Sequence, residues 1–176
     1  MLSNIYEHFI RPRLVFALAA TRARLQGKMV FRVLASNMAA TLAEGEAGLV
    51  EPIRKSGEAV THGQVIAYRS DKHQGTVIPS RVVALGGQSV ELRDGKLLVD
   101  DVHISEPYLD PRRAEQDYSR NVSRQVVPEG AVYLLGDFRD MSEDSRAIGA
   151  VPLRCVVGQV IQTIPLKRSA DSRSVR

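Results

Sequence analysis

The chain has no tryptophan and a single cysteine, Cys155, among 176 residues. One thiol excludes an intrachain disulfide and a cysteine cage for zinc. Its apolar neighbours Val151, Leu153, Val156 and Val157 mark Cys155 as a small core residue rather than a nucleophile. Long apolar runs are also missing. The stretch from Phe9 to Ala20, FIRPRLVFALAA, is interrupted by Arg11, Pro12 and Arg13. It leaves about seven apolar residues in a row, whereas a membrane span needs about 20. Arg22, Arg24 and Lys28 follow, which argues against a cleaved secretory signal. Residues 1–28 therefore read as a short basic, amphipathic helix suited to lying on a membrane surface, or as the remainder of a lost anchor. An excess of one charge is lacking as well. Twenty-four Lys and Arg face 20 Asp and Glu, with no charged block except at the termini. That gives no electrostatic footprint for nucleic acid. Nothing in the sequence calls for a metal, a nucleotide or an organic cofactor.

What is present is a domain of ordinary composition, 44% apolar and 25% charged, with enough length for one core. From Val30 onward the periodicity is that of short strands. VFRVLA, GQVIAY, GTVIPSRVVAL, SVELRD, KLLVDD, AVYLL and CVVGQVIQTI are rich in Val and Ile and are punctuated by Gly, Pro, Asp and Asn. Asp94-Gly95 between SVELR and KLLV predicts a tight hairpin. The polar run Asp110–Gln125 reads as an exposed excursion, and residues 167–176 as a disordered tail. The expected organisation is a mainly β domain over 29–166 behind an N-terminal helix.

Six segments, in order, resemble the boxes of type I signal peptidases. Leu34-Ala35-Ser36-Asn37-Met38-Ala39-Ala40-Thr41-Leu42 resembles S-G-S-M-x-P-T-L, and Gly63-Gln64-Val65-Ile66 resembles G-D-V-V. Ser80-Arg81-Val82-Val83-Ala84-Leu85-Gly86-Gly87 is similar to K-R-V-V-G-L-P-G. Glu106-Pro107-Tyr108 and Val127-Pro128-Glu129-Gly130 match E-P-Y and V-P-x-G. Gly136-Asp137-Phe138-Arg139-Asp140-Met141-Ser142-Glu143-Asp144-Ser145-Arg146 resembles G-D-N-R-D-N-S-x-D-S-R. The resemblance implies a fold of two packed antiparallel sheets and a groove in which an extended peptide adds as a strand. It implies that Val33, Leu34, Ala35, Val82 and Val83 line that groove, and that Met38, Arg81, Ser142, Asp144 and Arg146 support the site. In the family Asp144 and Arg146 would pair, and Ser142 would orient a lysine. It also implies a signal peptide or precursor segment as partner and a membrane-associated or extracytoplasmic location.

The chemistry of the family is missing at both its positions. A serine nucleophile needs a base within hydrogen-bond reach, and a lysine serves as base only when burial keeps it neutral. The Met38 alignment puts Asn37 at the nucleophile position, and the Arg81-Val82-Val83 alignment puts Ser80 at the base position. A carboxamide nitrogen is not nucleophilic, and a hydroxyl is no base near neutral pH. Ala35 stands where many relatives have a hydroxyl that helps hold the oxyanion, and Ala40 where they have proline. A Ser80–Ser142 hydroxyl pair beside Asn37 would fill the former lysine site with hydrogen bonds. Ser36 is the substitute nucleophile to consider, but in an extended segment it faces away from the groove. Lys55, Lys72, His62 and His73 sit in polar stretches and read as surface groups. The expected function is a non-catalytic homologue that binds signal peptides or precursor segments. The alternatives are a peptidase acting through Ser36, and a degenerate or deliberately inactivated relative.

Overall fold

The computed structural model describes residues 11–39, 41–53, 60–110, 112 and 114–166. The proposed tail 167–176, Lys55, Ala40 and the first ten residues lie outside them. Helix α1 spans Arg11–Leu25. It ends before Gly27, whose φ of +67° lets the chain turn into β1 (Met29–Arg32).

Among the described residues eleven strands form two antiparallel sheets. The larger contains β1, β2 (Ala47–Pro52), β3 (Val65–Ser70), β4 (Thr76–Leu85), β9 (Ala131–Leu135), β10 (Val151–Pro152) and β11 (Val156–Ile164), in the order β1-β2-β11-β3-β4-β9-β10. The smaller is β7-β6-β5-β8, built from β5 (Ser89–Arg93), β6 (Lys96–Val99), β7 (Val102–His103) and β8 (Val122–Val126). Asp94 and Gly95 take φ of +51° and +79° and close the β5–β6 hairpin, with Arg93 opposite Lys96. Mainly β architecture with one N-terminal helix is thus as the periodicity indicates. The polar excursion is corrected in part: after the short helix α2 (Asp117–Arg120), Val122–Val126 forms the edge strand β8 beside β5. One strand edge and much of its surface face solvent, so the segment carries polar residues that look like loop.

Alternating side chains of the shared strands feed separate cores. Val132 and Leu134 of β9 join Ile66, Tyr68, Val82 and Val151, while Ala131, Tyr133 and Leu135 pack with Val90, Leu92, Leu97 and Val99 of the small sheet. A third cluster unites Phe31, Val33, Met38, Leu42, Val50 and Ala67. Cys155 is half-buried against the Ile66–Tyr68 cluster.

β2 and β11 approach so closely at Gly158 that an ideal Cβ there would lie 2.2 Å from the Glu51 carbonyl oxygen. Gly158→Ala is expected to force the strands apart, costing about 1–3 kcal/mol as overpacking does. A fall in Tm of several degrees in a thermal melt would show it, and an unchanged Tm would contradict the close approach.

Candidate functional site

Three charged pairs, each held by a strand or a loop next to one, frame the site. Arg81, on β4, makes a two-pronged contact with Asp137, Nε to Oδ1 at 2.8 Å and Nη2 to Oδ2 at 2.6 Å. Its Nη1 donates to the Gly63 carbonyl at 2.8 Å, and its guanidinium lies 3.7 Å from the Tyr108 ring centre. Burial pulls the Arg81 pKa down, but hydrogen bonding and charge from Asp137 outweigh it and hold the value above the ordinary one. Arg139, 1% exposed, pairs with Glu106 and donates from Nε to the Gly136 carbonyl at 3.0 Å. Tyr108 donates its hydroxyl to the same Glu106 at 2.6 Å, and burial together with that carboxylate raises the phenol pKa. Asp144 caps the short helix α3 (Ser145–Ile148) through the Arg146 N–H, and it binds the Arg146 side chain at 2.8 and 2.9 Å. The same carboxylate accepts the Gly136 N–H at 3.0 Å, and Arg146 reaches back to the Arg139 carbonyl at 2.6 Å.

These bonds deliver the segment from Gly136 to Ser142 onto residue 37. The Asn37 carbonyl accepts the Phe138 N–H at 2.9 Å and the Ser142 hydroxyl at 3.1 Å. Met38 is fully buried, with its Sδ accepting the Asp137 N–H at 3.4 Å. Gly136 is required by this approach, because a Cβ there would lie 1.8 Å from Ser142 Oγ and 2.7 Å from the Asn37 oxygen.

Asn37 itself, 7% exposed, donates from Nδ2 to the Pro79 carbonyl at 2.7 Å. Its Oδ1 has no hydrogen-bond partner among the described residues, and neither has the hydroxyl of Ser80, which is 1% exposed. The expected Ser80–Ser142 pair is therefore not formed: Ser142 donates to the main-chain oxygens of Asn37 and Phe138 instead. Residues 35–39 form a bend and a turn closed by the Ala39 N–H to Ser36 oxygen bond at 2.9 Å, rather than an extended strand. Ser36 is half-buried and is not among the residues lining the groove, although its neighbours Ala35 and Asn37 are.

That groove, about 320 Å³, is lined by Leu34, Ala35, Asn37, Thr76, Val77, Ile78, Pro79 and Met141, with His73 and Glu143. Of the five groove residues expected from the resemblance, Leu34 and Ala35 line this cavity. Val33, Val82 and Val83 are not: their side chains are 1%, 0% and 3% exposed in the cores. Val33 and Val82 also have main-chain groups engaged with Gly45, Glu46, Gly63 and Gln64. Val33 packs with Phe31 and Met38 beyond the end of β1, and Val82 and Val83, adjacent on β4, point to opposite faces that each carry a core.

One wall of the groove is an unpaired strand edge. β4 pairs with β3 over Thr76–Arg81 but meets β9 from Arg81 onward, so Thr76–Ser80 has no strand on its second side among the described residues. Pro79 lacks an N–H and its carbonyl points to Asn37, away from β3. Alternation then turns the N–H and C=O of Val77 to the same free edge.

The groove mouth holds a contact that sequence reading placed on the surface. Glu143 accepts from Lys72 and, at 2.7 Å, from His73 Nε2, and these bonds hold its carboxyl below the ordinary pKa. Lys72 is 59% exposed, which is the opposite of the burial that a lysine base requires. No hydroxyl or thiol is bonded to the His73 ring among the described residues. His62 binds Gln88 at 2.6 Å away from the groove. Among the described residues no cluster of three metal-ligating groups exists.

Two antiparallel sheets, a groove beside a free strand edge and a braced acidic loop define a protein of the signal peptidase type. Residues 7–164 match the family described as "Signal peptidase, peptidase S26". Signal peptidase IB of Staphylococcus aureus is 29% identical over 143 residues, covering 74% of each chain. The inactive signal peptidase IA of the same organism is 26% identical over 128 residues, 71% of this chain and 72% of that one. The crystal structure of a signal peptidase I from Enterococcus faecalis matches with 30% identity and a TM-score of 0.51, covering 60% of this chain and 100% of that one. The chain belongs to the peptidase S26 signal peptidase family. That family is membrane-associated and acts on the signal peptides of precursor proteins. Among the described residues no helix is long and apolar enough to cross a membrane.

Different stability effects are expected at positions 37 and 80. Ser80→Ala removes a buried hydroxyl without a partner and should stabilise by about 1 kcal/mol. Asn37→Ala removes the bond to Pro79 together with the unpartnered Oδ1, two effects of opposite sign that should leave stability within about 1 kcal/mol of the native chain. Urea melts of both variants decide this, and a destabilised Ser80→Ala would show that the hydroxyl has a partner in solution.

Proposed function

We propose that this chain is a non-catalytic signal peptidase homologue that holds a signal peptide or precursor segment in its groove without cutting it. The observation that carries the reading is the state of residues 37 and 80. The carboxamide of Asn37 is committed to the Pro79 carbonyl, and Ser80 offers a hydroxyl where a base is needed. Peptide hydrolysis needs an activated nucleophile, and removing nucleophile and base leaves about 10³–10⁴-fold over water from binding and oxyanion contacts. Binding does not depend on that chemistry. The free edge at Val77 supplies one donor and one acceptor to an added strand, and Leu34, Val77, Ile78 and Met141 supply apolar contact. The name of the inactive Staphylococcus aureus relative supports a family in which the fold outlasts the activity.

Attachment to a membrane surface through α1 belongs to the same proposal. Leu14, Leu18 and Leu25 are 49%, 63% and 85% exposed, and their spacing puts them on one face of the helix. Arg13, Arg22 and Arg24 lie along the same helix and suit anionic headgroups.

Two measurements test this. A fluorescently labelled synthetic signal peptide should bind the native chain and remain intact, whereas Asn37→Ser with Ser80→Lys should cut it. Cutting by the native chain would overturn the non-catalytic reading, and absence of binding would overturn the binding role. For the membrane, sedimentation with vesicles containing phosphatidylglycerol should fall about tenfold in Leu14→Glu/Leu18→Glu, as expected when the apolar face carries the contact. Equal sedimentation would remove α1 from the interface.

A further inference from the structure

We infer that Asn37 closes one end of the groove, so that the site takes the end of an extended peptide rather than a strand running through it. This rests on the peptide-binding reading above and narrows it. A strand added along the free edge of β4 would bond first to Val77 and next to residue 79, two residues on. Position 79 offers an added strand no donor, and its acceptor is already in use. Proline has no N–H, and its carbonyl already accepts Asn37 Nδ2 at 2.7 Å. The carboxamide thus stands where the amide of an added strand would stand. Beyond it the lane is taken, because Arg81 pairs with Leu135 and the chain from Gly136 folds over Asn37.

The stopper is fixed from behind. Two donors, Phe138 N–H and Ser142 Oγ, hold the Asn37 carbonyl, and Asn37 is 7% exposed. The side chain cannot leave the lane unless its bond to Pro79 breaks. The opposite end of the groove is different. Its boundary is Glu143 with Lys72 and His73, whose side chains are 38%, 59% and 43% exposed and can move aside into solvent. A peptide therefore enters past these three and stops at Asn37. The groove volume, about 320 Å³, lies at the lower limit for ligand sites and fits a few residues rather than a long segment. A serine at position 37 would not reach so far, since its oxygen sits on Cβ whereas the carboxamide nitrogen is one carbon further out. The closure is therefore a property of this chain's asparagine.

The test compares three labelled peptides. Two are the same short alanine-rich peptide, one with only its carboxyl end free and one with only its amino end free. The third carries that sequence in the middle of a longer Gly/Ser peptide. By fluorescence anisotropy the native chain should bind one end-bearing peptide at least about tenfold more tightly than the embedded sequence, and the pair of blocked peptides shows which end is read. In Asn37→Ser the embedded sequence should bind within about twofold of the free end. Equal binding of embedded and terminal sequences by the native chain would overturn the closure while leaving peptide binding intact. Binding of none of them, by either protein, would overturn both. The comparison on the native chain decides even if Asn37→Ser fails to fold.

Discussion

The three arginine–carboxylate pairs are the constraint from which the rest of the site follows. Arg81–Asp137 ties β4 to the turn after β9, Arg139–Glu106 ties that turn to the segment after β7, and Asp144–Arg146 closes the loop on itself. Three positive and three negative charges balance. Such pairs add little stability relative to apolar packing, yet removing one partner typically costs about 3–5 kcal/mol because the other stays buried and unpaired. Their contribution here is position. Each guanidinium also takes a main-chain carbonyl, of Gly63, Gly136 or Arg139, so the planar fork fixes backbone as well as side chain.

The frame grips residue 37 through its main chain. Phe138 and Ser142 bond the Asn37 carbonyl, and Met38 anchors the next residue in the core. None of these contacts depends on the side chain at position 37. The residue at position 37 can therefore change without loosening the groove. Among the described residues the charged frame is hydrogen-bonded, whereas Asn37 Oδ1 and Ser80 Oγ are buried without partners.

Much of this was legible in the sequence, and the part that was not has a common physical cause. The strands, the Asp94-Gly95 hairpin and the order of the boxes depend on local pattern, and the structure has them. The Asp144–Arg146 pair lies two residues apart and was readable from its box. Arg139–Glu106 spans 33 residues and His73–Glu143 spans 70, and no local signal joins them. The misplaced groove residues Val33, Val82 and Val83 show the same limit, because strand membership does not tell which face of a strand meets the groove and which the core. Ser80 failed to find Ser142 because Ser142 has nearer acceptors in its own loop, Phe138 at 2.8 Å among them.

Pro79 resolves a difficulty that the groove creates. An unpaired strand edge is a template for unwanted pairing with other chains. Proline is normally excluded from a strand with neighbours on both sides, but at position 79 its missing N–H faces the free edge, so no ladder bond to β3 is lost. The exposed ladder is thereby cut to the two groups of Val77, bounded by the Asn37 carboxamide on one side and by the Glu143 contacts on the other. Two hydrogen bonds are too few to capture an arbitrary strand, since ordering the peptide backbone costs about 1–2 kcal/mol per residue. Selectivity then falls to the apolar contacts with Leu34, Ile78 and Met141, so an occupant must match the groove in shape as well as in backbone.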